Sequence, residues 1–123
     1  MTTVDIDTWR TQFRGAVIRP GDAEYDSARK VYNGMIDKRP AVIARCVDVA
    51  DVIAAVNFAR TSGLLTAVRG GGHNGGGLGT CDDGLVIDLS RMKGIRVDPI
   101  ARTAQVEGGC TWGDVDHATH AFG

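Results

Sequence analysis

The residues of this chain whose types and spacing could do chemistry lie in one stretch, Arg69-Gly70-Gly71-Gly72-His73-Asn74-Gly75-Gly76-Gly77-Leu78-Gly79. Seven of the chain's 17 glycines fall in these eleven residues. Glycine loses more backbone freedom on ordering than any other residue, so such a run carries an entropic cost that something must offset. The usual offset is a close approach of backbone N–H groups to an anion, most often a phosphate. His73 is the one residue of the run able to do covalent chemistry. The blander reading is a flexible loop in which His73 bonds a backbone carbonyl. Arg69, at the head of the run, has three roles open to it: phosphate ligand, carbonyl cap, or ion-pair partner of Asp82 or Asp83.

The elements on either side decide what kind of cradle this can be. Leu64 to Val68 reads as a strand leading into the run, Cys81-Asp82-Asp83-Gly84 as a turn, and Leu85-Val86-Ile87-Asp88-Leu89 as a strand buried on both faces. A dinucleotide fingerprint is present at Gly70-x-Gly72-x-x-Gly75, but that motif must open a helix, whose N-terminus holds the pyrophosphate. Here a turn and a strand follow, and no acidic residue stands at the expected distance. No Gly-Lys-Ser/Thr is present, which excludes a P-loop. What remains is an extended glycine loop between two strands.

Further out, Ala41 to Cys46 is short, apolar and preceded by Pro40, and reads as a buried strand. Asp48 is placed to cap a helix ending at Gly63, with Val49, Val52, Ile53, Val56 and Ala59 as its apolar stripe. Strand, helix and strand in this order predict a right-handed βαβ unit whose two strands pair in parallel. Upstream, residues 5–13 predict a short helix with Ile6, Trp9 and Phe13 on one face, and residues 22–33 a second, capped by Asp22 and ended at Asn33-Gly34. Downstream, Ile95 to Asp98 and Thr103 to Glu107 alternate as an antiparallel hairpin with one wet face. Thr111 with Asp114 resembles a capping box opening a helix that carries Trp112, Val115, Ala118 and Phe122 on one side. The fold class expected is α+β.

Bulk composition excludes several functions. The formal net charge is −1, from 14 basic and 15 acidic residues, which leaves no electrostatic footprint for nucleic acid or an anionic membrane. No apolar run is long enough to cross a membrane, and Met1 to Asp7 lacks the layout of a signal peptide, so the expected location is cytoplasmic. Cys46, Cys81 and Cys110 are odd in number and widely spread, which is no disulfide framework. With no Cys-x-x-Cys pair, they and His73, His117 and His120 are read as ordinary thiols and imidazoles, and no metal site is expected.

Arg69-Gly70-Gly71-Gly72-His73-Asn74, its spacing to Leu85-Val86-Ile87-Asp88-Leu89-Ser90, and Val106-Glu107-Gly108-Gly109-Cys110-Thr111-Trp112-Gly113-Asp114-Val115 resemble the FAD-linked oxidases of the berberine-bridge-enzyme-like group, within the vanillyl-alcohol-oxidase superfamily. The resemblance runs from about residue 33 to the end. It implies a division into a helical lead-in, residues 1–39, and an FAD-binding core, residues 40–123. It also implies FAD as cofactor, held by Arg69, Gly70, Gly71, Gly72, His73, Asn74, Gly77 and Leu78. His73 matches the histidine that in this group bonds covalently to the 8α-methyl carbon of the flavin. Cys110 does not match the cysteine motif of the doubly tethered members, and is expected to be a small buried thiol near the cofactor. Enzymes of the group are several times longer, so the chain is expected to be the first half of an FAD-binding domain: a small parallel βαβ unit, then an antiparallel hairpin and flanking helices. The substrate domain and the acid/base residues are expected to lie outside it, with no catalytic base within. The full-length protein is then expected to oxidise an alcohol carbon of a small molecule by hydride transfer to FAD, with oxygen or another acceptor restoring the flavin. The chain alone is expected to be inactive and to self-associate through its uncovered faces. The alternative is a non-catalytic, truncated nucleotide-binding fragment.

Overall fold

A computed structural model describes residues 6–31, 34–70 and 79–123. Four strands form the main sheet: β1 (Ala16–Ile18), β2 (Val42–Arg45), β3 (Thr66–Arg69) and β4 (Leu85–Asp88), in the order β1-β2-β4-β3. β1 is antiparallel to β2, while β2 and β3 each pair in parallel with β4. The strands before and after the long helix therefore run the same way, as the strand–helix–strand pattern predicts, but they do not pair. β4 lies between them. Its four residues are all buried, which suits a central strand, whereas β3 exposes Thr66 and Val68 and takes the edge. β1 is absent from the sequence reading: three apolar residues are too short a run to show a period.

The helix α3 (Val49–Ser62) follows the predicted boundaries. The Asp48 carboxylate accepts from the Asp51 N–H at 2.9 Å, and Gly63 closes the helix in the left-handed conformation, φ 69°. Its buried face differs from the expected stripe. Ala55 and Phe58 are buried and Val52, Ala54 and Ala59 pack beside them, while Val49, Ile53 and Val56 stand outside at 64%, 57% and 44% exposure. The cause is Asp51, 1% exposed, whose carboxylate accepts the backbone N–H groups of Arg14 (2.9 Å), Gly15 (2.9 Å) and Val47 (3.1 Å). Those three bonds turn Asp51 inward, and one shoulder of the apolar stripe rotates out with it.

The short helix α1 (Ile6–Arg10) continues to Phe13 as turns. Its predicted apolar face is the one that packs: the Trp9 ring stacks on Phe58 at 4.3 Å, and the indole N–H donates to the Ala54 carbonyl at 3.1 Å. With Val17, Val42, Ala44, Leu85 and Ile87 these side chains form the larger core, on one face of the sheet. The opposite face carries Ile18, Ile43, Ala67 and Val86 against Tyr25 and Ala28 of α2 (Tyr25–Arg29). This helix is shorter than the twelve residues expected. Asp22 does not cap it, because its carboxylate accepts the Arg19 N–H at 2.8 Å and closes the preceding turn. Lys30 is already extended, and Asn33 lies outside the described residues.

The antiparallel hairpin of β5 (Ile95–Asp98) and β6 (Thr103–Val106) forms a separate small sheet. The helix α4 (Trp112–His120) opens with both bonds of the capping box, Asp114 N–H to Thr111 Oγ1 at 3.3 Å and Thr111 N–H to Asp114 Oδ2 at 2.9 Å. No residue of α4 is buried, and Trp112 is 83% exposed. No helix among the described residues is long and apolar enough to cross a membrane.

Candidate functional site

The three parallel strands end on a common rung. Arg45, Asp88 and Arg69 are register partners across β2, β4 and β3, which sets one carboxylate between two guanidinium groups at the carboxyl edge of the sheet. In open sheets of parallel strands this edge is where ligands bind. Asp88 has no exposed surface. Its Oδ2 accepts from Arg69 Nη2 at 2.5 Å and lies 3.5 Å from Arg45 Nε, while Oδ1 accepts the Ser90 N–H at 2.8 Å. The other terminal nitrogen of Arg69 donates to the carbonyls of Ala28 (2.6 Å) and Lys30 (3.0 Å), at the end of α2. Of the three roles open in the sequence, Arg69 therefore fills the second and third together, as carbonyl cap and ion-pair partner. The partner is Asp88, not Asp82 or Asp83. Asp82 accepts instead the Arg39 N–H at 2.7 Å, and the Asp83 N–H donates to the Arg39 carbonyl at 2.9 Å.

Burial raises the Asp88 carboxyl, but the Arg69 guanidinium and the Ser90 bonds outweigh it and hold the group below the usual carboxylate range. The folded-state value lies below the unfolded one, so the stabilisation is present above about pH 4 and is lost as pH falls through the folded value. Urea unfolding followed from neutral pH into acid should show this loss, and Asp88→Asn should flatten that limb. An unchanged acid limb in the variant would remove Asp88 from the account.

The glycine run leaves from Arg69 and returns beside it. A Cβ built on Gly79 would lie 3.7 Å from Arg69 Cγ and 3.9 Å from its Cα. At the other end, a Cβ on Gly70 would stand 2.5 Å from the Gly108 carbonyl oxygen, a separation no side chain could keep. Gly109 is packed as tightly, 2.0 Å from the Leu89 carbonyl oxygen and 2.7 Å from that of Met92, to which its own N–H donates at 3.0 Å. Two glycine segments distant in sequence thus meet at the carboxyl edge. Gly109→Ala is expected to cost about 3 kcal/mol, because backbone oxygens must give way to the new methyl; a urea midpoint matching the parent chain would show that the contact relaxes freely. Of the residues singled out in the sequence, Arg69 and Gly70 stand at this edge, and Gly71, Gly72, His73, Asn74, Gly77 and Leu78 lie outside the described residues.

Thr80, which the sequence reading passed over, is 4% exposed, and its hydroxyl has no hydrogen-bond partner among the described residues. A buried unpaired hydroxyl costs free energy unless something satisfies it, and this one stands where the glycine run ends. The only hint in the sequence is its place directly after the last glycine of the run. Cys46 and Cys81 are poor nucleophiles. Burial, with the carboxylates of Asp51, Asp88 and Asp48, pushes Cys46 up to about 12, and burial also raises Cys81. Cys110 is half-buried, not buried as expected, and it precedes α4, none of whose residues is buried.

A model of the family described as FAD binding domain matches residues 40–123. The chain belongs to that family. FAD is the cofactor this domain holds, and the berberine-bridge-enzyme-like, vanillyl-alcohol-oxidase-type form of the domain is the one found here. The chain is 38% identical over 110 residues to (R)-6-hydroxynicotine oxidase of Paenarthrobacter nicotinovorans, covering 89% of this chain and 24% of that one. It is 42% identical over 110 residues to an FAD-linked oxidoreductase of Dictyostelium discoideum, again 89% of this chain and 24% of the relative. The solved structure of BBE-like 1 from Physcomitrella patens superposes with a TM-score of 0.85 at 29% identity, over 96% of this chain and 26% of that one. The chain spans about a quarter of the length of these relatives. The residues present fit the FAD-binding family: at Gly70 and Gly109 backbone meets backbone too closely for a Cβ, and the Thr80 hydroxyl, directly after the run in sequence, is buried without a partner among the described residues.

Proposed function

We propose that this chain is the FAD-binding portion of an oxidoreductase that takes a hydride from an alcohol carbon of a small molecule onto covalently held FAD. The observation that carries the reading is the meeting of two glycine segments at the carboxyl edge of the parallel sheet, inside the stretch matched by the FAD family. Bound there, FAD supplies hydride acceptance from substrate and electron delivery to oxygen or another acceptor.

The chain's own share is to bind and orient. Gly70, Gly71, Gly72, Asn74, Gly77 and Leu78 offer backbone N–H groups to the diphosphate, and the glycines among them leave room for its approach. Arg69 serves as the fixed post from which the run departs. His73 would hold the flavin through an imidazole nitrogen, a nucleophile when the ring is neutral. The substrate and its acid/base group belong to the parts of the relatives that this chain does not match.

Denaturing the FAD-supplied full-length protein in acid tests the reading. Yellow colour is expected to stay with the precipitated protein. Colour released entirely to the supernatant would refute the covalent histidyl link, and absence of any bound FAD would refute the cofactor site itself.

A further inference from the structure

We propose that the Arg69–Asp88 pair is a positioning element for FAD, clasping the two ends of the glycine run; this rests on the reading that the run binds the cofactor. The pair is buried, with side-chain exposures of 8% for Arg69 and 0% for Asp88. Burying two charges costs several kcal/mol of lost hydration, and an apolar pair of similar volume often serves stability as well or better. Stability alone therefore gives a poor reason for this rung.

Geometry gives a better one. The guanidinium is held at three points: Asp88 at the end of β4, and the Ala28 and Lys30 carbonyls at the end of α2. The Arg69 carbonyl is fixed as well, accepting the Leu89 N–H at 2.8 Å. Gly70 follows directly, pressed against Gly108, and Gly79 returns against the Arg69 side chain. The two described ends of the run, Gly70 and Gly79, thus both adjoin Arg69, whose guanidinium is held in turn by Asp88. The fork reaches the two carbonyls from one nitrogen and the carboxylate from another, whereas an ammonium must make every bond from a single nitrogen.

The test adds Arg69→Lys and Asp88→Asn to the full-length His73→Ala protein, in which FAD is expected to bind reversibly, FAD affinity being read from flavin fluorescence well below each melting temperature. Both variants are expected to raise the Kd for FAD about tenfold and to alter the visible circular dichroism of the bound flavin. The double variant should cost less than the sum of the two, since the residues act as a unit. Arg69→Lys keeps the charge and serves as the measure if Asp88→Asn does not fold. Variants that melt lower yet bind FAD with unchanged affinity and an unchanged visible spectrum would overturn the inference and leave the pair a structural one. Failure of the parent protein to bind FAD would instead overturn the cofactor reading, and this inference with it.

Discussion

His73→Ala is expected to abolish acid-stable flavin in the full-length protein while leaving FAD bound reversibly. The expected change is from stoichiometric to none, read as absorbance of the acid-precipitated pellet against the supernatant. On the proposed reading the diphosphate is held by backbone N–H groups of the run and not by the imidazole, so FAD should stay bound when the side chain goes. The expected loss is the proposed tether and its electronic effect. An imidazole substituent withdraws electron density from the ring system, so the variant's flavin should also have a lower reduction potential and oxidise substrate more slowly. A variant pellet as yellow as the parent's would place the tether elsewhere. A variant that bound no FAD at all, though folded, would show that His73 holds the cofactor by contact and not by a bond alone.

Asp51→Ala is expected to destabilise the chain by about 3 kcal/mol, since it leaves buried donors without an acceptor. Three backbone N–H groups, of Arg14, Gly15 and Val47, lose their partner in one substitution. Water reaches the carboxylate poorly, because Asp51 is 1% exposed. The carboxylate also stands in the first turn of α3, where negative charge is favoured. Asp51→Asn keeps one acceptor oxygen and should recover part of the loss. Urea unfolding measures both, and a change below about 1 kcal/mol in the alanine variant would mean that the three donors find other partners. The comparison matters beyond stability, since these bonds join β1 and the end of β2 to the helix that covers the sheet.

The local elements were legible in the sequence wherever one short-range interaction decides them. Asp48 and Gly63 bound α3, Thr111 and Asp114 open α4, and the unbroken apolar run at Leu85 marks a strand buried on both faces. The family was legible because glycines cannot be replaced where backbone meets backbone or ligand, so their spacing survives as a motif. Three things were decided only in the tertiary structure. The rotation of α3 was one: its apolar residues cover too much of the circumference for the pattern to choose a face, and Asp51 chooses it by reaching chain far from it in sequence. The strand order was another, because a helical connection fixes that β2 and β3 run parallel but not whether a later strand slips between them. The third was the role of Arg69. Its neighbours in sequence are glycines, and its partners, Asp88, Ala28 and Lys30, come from two other elements. An arginine beside a glycine run offers a cation to any anion within reach, and only the packing of β4 and α2 against β3 determines that a buried carboxylate and two helix-end carbonyls claim it.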